Sequence, residues 1–190
     1  AGWTRANPYS LSAAPTDDTM RITVKHLGDG SARLAQLPIG TKAHIEGPYG
    51  RLHPGVRTRS KVLLLGAGIG ITPLRAILEA LPANAGQVTV VHRVSDRRET
   101  VLGSEIEQLT QARGGRYLVL DGHRIPGRDS WLPASVAALG DVEALRRLVP
   151  DVTEHDVFIC GSGPWMAAAE KAVREAGVPQ DAIHIEHFAY

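Results

Sequence analysis

The sequence predicts an α/β protein: a parallel five-stranded sheet interleaved with helices from Lys61 onward, preceded by a shorter β-rich stretch. Two observations carry this. Val62 to Leu65 form an unbroken apolar run between Lys61 and Gly66, the profile of a strand buried on both faces. Beyond it, short apolar strand-like runs alternate with segments whose apolar residues recur at helical spacing. That alternation implies parallel strands joined by crossover helices. Before about residue 55 the pattern differs, with short alternating segments separated by turn-forming clusters.

In order, the β-rich stretch holds Tyr9-Ser-Leu-Ser12, Met20-Arg-Ile-Thr-Val-Lys25 and Lys42-Ala-His-Ile-Glu46 as strands. In the second, Met20, Ile22 and Val24 share one face and Arg21, Thr23 and Lys25 the other. Gly28-Asp-Gly30 and Pro38-Ile-Gly40 read as turns. After the strand at Lys61 a helix runs from Leu74 to Leu81, with Thr72 as N-cap, Pro73 in its first turn and Pro82 as its stop. Gln87 to His92 is a second strand, and the next helix starts at Leu102 or at Ser104, where Ser104 and Glu107 match a capping box. Arg116 to Leu120 is a third strand. A polar loop opening with Asp121-Gly-His-Arg124 then runs to Leu132 without assignable chemistry. A short helix over Asp141 to Leu148, a strand over Asp156 to Cys160, a helix over Trp165 to Ala176 and a strand over Ala182 to Glu186 complete the chain.

The composition sets bounds. At 190 residues, with 43% hydrophobic and 22% charged residues, the chain can bury a substantial core. A net charge of +1 gives no argument for nucleic acid or an anionic membrane surface as partner. No apolar run approaches a membrane span, and no signal-peptide pattern is visible. The one cysteine, Cys160, excludes an internal disulfide and fits a reducing, cytoplasmic setting.

Gly66, Gly68 and Gly70 follow the first strand at alternate positions, where the backbone can turn tightly and approach a ligand. Loop and helix N-terminus together make an anion site, and the pyrophosphate of a dinucleotide is its obvious occupant. The spacing G-x-G-x-G departs from the common G-x-G-x-x-G fingerprint, and a tight turn without ligand is the alternative on this stretch alone. In an open α/β sheet, ligands sit outside the carboxyl ends of the strands. The second strand ends at His92-Arg93-Val-Ser95, followed by Arg97 and Arg98, and the fourth at Cys160-Gly-Ser-Gly-Pro164, a second glycine turn into a helix. Arg93, Ser95 and Arg98 lie where such a fold reads the adenosine ribose. Arginine there accommodates a 2′-phosphate, which favours NADPH, while Asp96 and Glu99 keep NADH open.

Other chemistries lack their residues. His184-Ile-Glu186 has the H-x-E form of a zinc deaminase, but one cysteine cannot complete the ligand set. The histidines show no metal-ligand spacing, Ser162 lies outside any G-x-S-x-G elbow, and Cys160 has no base that can be placed beside it.

Taken together the motifs resemble the ferredoxin–NADP⁺ reductase superfamily, and within it the dehydrogenase domain of ferric reductases and NADPH oxidases. Asn7-Pro-Tyr-Ser10 is similar to the flavin motif of that family. The resemblance implies that Asn7 and Pro8 belong to that motif, that Tyr9 lies along the flavin and that Ser10 approaches its ring. Lys25 with Gly28-Asp-Gly30-Ser31 resembles the segment binding the FAD pyrophosphate, and Gly47-Pro-Tyr-Gly50 the G-P-Y-G closing the flavin domain. Gly66 to Thr72 and Pro73 is then the NADP pyrophosphate loop. Cys160 and Gly161, with Met166, resemble the segment placing nicotinamide against flavin. Glu186-His-Phe188 is similar to the terminal E-x-F, whose aromatic covers the flavin.

The resemblance implies a partial antiparallel β-barrel FAD-binding domain over residues 1–56 and an α/β NADP-binding domain over 57–190. It implies FAD and NADPH as cofactors, with Ser10, Cys160, Glu186 and Phe188 nearest the reacting atoms. NADPH would reduce FAD, and electrons would pass to haem, ferric iron or oxygen. The alternatives are a reductase serving a soluble iron–sulfur or haem partner, or a nucleotide-binding module without turnover. About half of a six-stranded barrel precedes Gly47, so the chain is expected to be a fragment or a truncation that holds NADP(H) better than FAD. A membrane is expected only through a segment absent from the chain, which would place it on the cytoplasmic face.

Overall fold

In the computed structural model, which describes residues 8–82, 84 and 86–186, five parallel strands form one sheet in the order β3-β2-β1-β4-β5. They are β1 (Lys61–Ala67), β2 (Val88–Val94), β3 (Arg116–Asp121), β4 (His155–Cys160) and β5 (Ile183–Ile185). Helices α2 (Ile71–Ala80), α3 (Gly103–Ala112), α4 (Asp141–Leu148) and α5 (Gly163–Glu175) connect them, and α1 (Asp29–Ala35) lies upstream. β1 sits at the centre because its side chains can be covered on both sides. Leu63 and Leu65 face α4 and α5, whereas Val62 and Leu64 face α2 and α3. Val62, Leu63 and Leu64 expose nothing to solvent, so each contributes about 2 kcal/mol of apolar burial.

The order reverses at β1. The chain runs outward through β2 to β3, then returns to place β4 on the other side of β1, which opens a crevice at their carboxyl ends. The register sets Gly66 level with both His92 and Cys160, so three strand ends meet at one height.

Two sequence expectations change. The helix after the glycine loop starts at Ile71, earlier than Leu74, with Gly70 at its N-cap. Thr72 lies inside its first turn, and its hydroxyl donates to the Ile69 carbonyl at 2.9 Å instead of capping. The second correction concerns the N-terminal stretch, where the described residues contain no strand. The backbones of Tyr9–Ser12 and Met20–Lys25 meet in an isolated antiparallel bridge, Leu11 with Ile22, and Lys42–Glu46 forms no strand. The Gly28-Asp-Gly turn is the start of α1, where the Ser31 hydroxyl accepts from the Leu27 and Gly28 amides. Three short segments with no further strand beside them cannot saturate their backbone groups by pairing with each other. Met20, Ile22, Leu37, Ile39 and Ile45 are accordingly exposed.

This stretch nevertheless docks on the sheet domain through polar contacts. Arg21 reaches Glu105 of α3 at 2.8 Å, and the same carboxylate meets the buried Arg75 of α2 at 3.0 Å. The Ala14 amide donates to Glu79 at 2.6 Å, and the fully buried Ser12 carbonyl accepts from Arg21 at 2.8 Å. Among the described residues, no helix is long and apolar enough to cross a membrane.

Candidate functional site: two glycine turns at the sheet's carboxyl edge

The crevice is built by contact between the two glycine turns. A Cβ on Gly70 would stand 2.5 Å from the Cys160 carbonyl oxygen and 2.7 Å from the Gly161 Cα, so the turn after β1 presses backbone to backbone on the turn after β4. Gly161 is held in turn between the Trp165 ring, 2.8 Å from its would-be Cβ, and Ala67. Gly66 faces inward onto Ile71 and Leu74. Gly68 behaves differently: its φ is +53°, a region few side chains adopt, and a Cβ there would meet nothing within 4 Å. Two glycines of the motif permit packing, and the middle one presents open backbone at the mouth of the crevice.

His92 fixes that open segment from beneath. Its Nε2 donates to the Gly68 carbonyl at 3.2 Å, and its Nδ1 accepts from the Tyr117 hydroxyl at 3.1 Å, an assignment required because a carbonyl can only accept. Burial lowers the His92 pKa to about 4, against a smaller opposing effect of the Gly68 bond, and burial pushes Tyr117 up to about 12. Both groups are neutral near pH 7. A group whose folded pKa lies below its unfolded value of about 6.5 takes up its proton preferentially in the unfolded chain. Stability is therefore expected to be full above about pH 6.5 and to fall by roughly 3 kcal/mol as the pH drops to about 4. His155, also lowered by burial, adds in the same direction. Urea titrations across that window should show the slope, and His92→Gln, which keeps a donor for Gly68, should flatten it. An unchanged slope in that variant would remove His92 as its source.

At the other side of the crevice, Glu186 follows β5 and lies against Gly50, where a Cβ would come within 1.9 Å of its carboxylate oxygen. Burial first, and the Glu186 charge second, push the Cys160 thiol up to about 12. Cys160 is thus an uncharged member of the core beneath the crevice at neutral pH and not a nucleophile.

The remaining sequence-predicted residues are distributed unevenly. Pro73 sits in the first turn of α2 beside the glycine loop. Arg93 is buried with its guanidinium donating to the Val94 carbonyl, while Ser95 is exposed. Arg98 is exposed and paired with Asp96, and Arg97 approaches Asp121 at 3.7 Å. Met166 points into the α4–α5 core. Pro8, Tyr9, Lys25 and Gly30 are exposed and Ser10 and Ser31 half-buried, with the Ser31 hydroxyl engaged by its own turn. Asn7 and Phe188 lie outside the described residues. Sequence reasoning gave His92 no role, although a histidine closing a strand of buried apolar residues was a usable signal. It also passed over Arg124, which no spacing marked.

Open backbone at Gly68, the start of α2 and a packed floor of glycines fit the pyrophosphate of a dinucleotide. The fold and this crevice define a dinucleotide-binding domain of the ferredoxin–NADP⁺ reductase type. The chain belongs to the oxidoreductase NAD-binding domain family, whose match covers residues 64–171. It is 36% identical over 188 residues to the ferredoxin reductase component of 3-ketosteroid-9-alpha-monooxygenase from Mycobacterium tuberculosis, covering 96% of this chain and 49% of that protein. It is 28% identical to the glycine betaine monooxygenase reductase subunit of Chromohalobacter salexigens, covering 95% of this chain and 50% of that subunit. The chain thus spans about half the length of these relatives. Among solved structures, a ferredoxin NADP⁺ reductase from Neisseria gonorrhoeae with bound FAD and NADP superposes with a TM-score of 0.62 at 20% identity, over 94% of this chain and 78% of that one. At that identity the likeness is one of fold.

Proposed function

We propose that the chain is the NAD(P)H-binding part of a flavin-dependent reductase that serves an oxygenase, with residues 57–190 as its nucleotide domain and 1–56 as part of its flavin domain. The observation that carries this reading is the contact of the two glycine turns, which sets the open backbone of Gly68 at the sheet's switch point. When bound, NAD(P)H supplies a hydride and FAD divides it into single electrons. The chain's own residues bind and orient: Gly68 and the α2 N-terminus receive the pyrophosphate, the Cys160–Gly161 backbone turn lines the nicotinamide side, and Glu186 with Ser10 faces the flavin side. The relatives are named as reductase components of oxygenases. They favour a protein-borne iron–sulfur or haem acceptor over the membrane haem, ferric iron or oxygen implied by the likeness to ferric reductases.

Ser95 and Arg98 at the end of β2 are the groups suited to a 2′-phosphate. Arg98 must first leave Asp96, an exposed pair weakened by solvent screening, and NADPH should be preferred over NADH by about tenfold or less. Calorimetric titration of the chain with NADPH, NADH and FAD tests the proposal. Saturable NADPH binding, tighter than FAD, is expected. Failure to bind either nicotinamide nucleotide would overturn the reading, and flavin retained stoichiometrically on purification would reverse the expected order.

A further inference from the structure

Residues 123–134 leave the end of β3 and form a closed excursion. The Ala134 amide donates to the His123 carbonyl at 2.9 Å at its base, and the Gly122 amide donates to the Val94 carbonyl at 3.2 Å. Its returning limb is fixed by two tryptophans. Trp131 donates to the Asp141 carbonyl at 3.2 Å, and Trp165 of α5 donates to the Trp131 carbonyl at 2.9 Å. From this anchored loop, which follows β3, Arg124 donates to the Ser162 hydroxyl in the turn after β4 at 2.8 Å.

Ser162 is the N-cap residue of α5. A serine in that position ordinarily turns its hydroxyl onto the amides of the first helical turn. Here Pro164 has no amide, which leaves Trp165 as the natural donor, yet α5 has no side-chain cap bond. The hydroxyl is held by Arg124 instead. The first amides of this 13-residue helix therefore have no side-chain cap, beside Gly161 at the edge of the crevice.

We propose that Arg124 is a positioning residue that draws the Ser162 hydroxyl off the α5 cap and so keeps the helix N-terminus open to the dinucleotide. This rests on the nucleotide-binding reading of the crevice. The device explains why a loop with no apparent chemistry is anchored by two buried indoles. It also separates two quantities that a merely structural contact would move together. Loss of Arg124 frees Ser162 to cap α5, which favours the fold, while the same rotation closes the amides that the nucleotide needs.

The test uses the whole chain and three variants, Arg124→Ala, Ser162→Ala and the double variant, each measured by thermal unfolding and by calorimetric titration with NADPH and NADH. Arg124→Ala is expected to keep or raise Tm, by about 1–3 °C, and to weaken nucleotide binding by about fivefold. In Arg124→Ala/Ser162→Ala no hydroxyl remains to cap the helix, so affinity should return toward the wild-type value and the gain in Tm should vanish. A double variant as weak as Arg124→Ala would mean that Arg124 touches the nucleotide itself and would overturn the positioning role. Unchanged affinity or a clear loss of Tm in Arg124→Ala would do the same. A wild-type chain that binds neither nucleotide would instead defeat the reading of the crevice, and the Tm comparison would still decide whether Arg124 governs the cap.

Discussion

Gly70→Ala is expected to abolish nucleotide binding and to lower stability by about 3 kcal/mol, the upper end of the usual cost of forcing extra volume into a packed interior. The size follows from what the new methyl meets. Its nearest neighbours are the Cys160 carbonyl oxygen and carbon at 2.5 and 2.7 Å and the Gly161 Cα at 2.7 Å, all of them backbone. No rotamer change relieves the overlap, so the β1 and β4 turns must separate and the crevice floor with them. Gly68→Ala is the contrasting variant. Its methyl enters open space at a φ of +53°, with strain of about 1 kcal/mol, so it should fold nearly as well as the wild type while losing affinity. Urea unfolding and NADPH titration of both variants distinguish the two roles. A Gly70→Ala protein of wild-type stability and affinity would show that the turns do not depend on their contact.

Asp156→Ala is expected to cost about 3 kcal/mol, read as a fall in Tm of roughly 10 °C. Asp156 is the second residue of β4, at the opposite edge of the sheet, and is fully buried. One carboxylate oxygen accepts from the Thr58 and Arg59 amides at 2.9 and 2.7 Å, and the other meets His184 Nε2 at 2.8 Å. A single side chain thereby ties the segment entering β1 to β4 and to the last strand. Asp156→Asn retains an acceptor for the amides and can offer its own N–H to the alternative tautomer of His184, so it should recover more than half of the loss. Equal damage from both variants would show that the charge, and not the bonding pattern, holds the segment. Neither change touches the nucleotide crevice, so affinity for NADPH should survive wherever the protein folds.

The sheet was legible because its strands are buried on both faces, which writes them as unbroken apolar runs such as Val62–Leu65 and Val157–Ile159. The short helix Asp141–Leu148 was legible from its apolar stripe and the proline beyond it. The N-terminal strands were misread for the converse reason. Alternation over Met20–Lys25 records which face an element would bury, and says nothing of whether a covering layer is present. At the crevice, glycines at Gly66 and Gly70 advertise themselves because close approach admits no other residue. Arg124 does not, since a long side chain crossing from one loop to another leaves no periodic trace, and Glu186 was marked only by its likeness to the terminal E-x-F. The cap at Gly70 in place of Thr72 is a local example: a favourable N-cap residue loses when the loop before it already turns into the helix.

The level register of Gly66 with His92 and Cys160 bears on how the protein assembles. β1 and β4 are neighbours in space but separated in the chain by two strands and three helices, so their pairing is a contact of high order that forms late and slowly. Nucleotide can therefore recognise only chains that have completed that step. In refolding, it should act as a trap for the finished sheet and leave the early rate unchanged. By mass action it should protect against global unfolding by about 2.7 kcal/mol at a hundredfold excess over Kd.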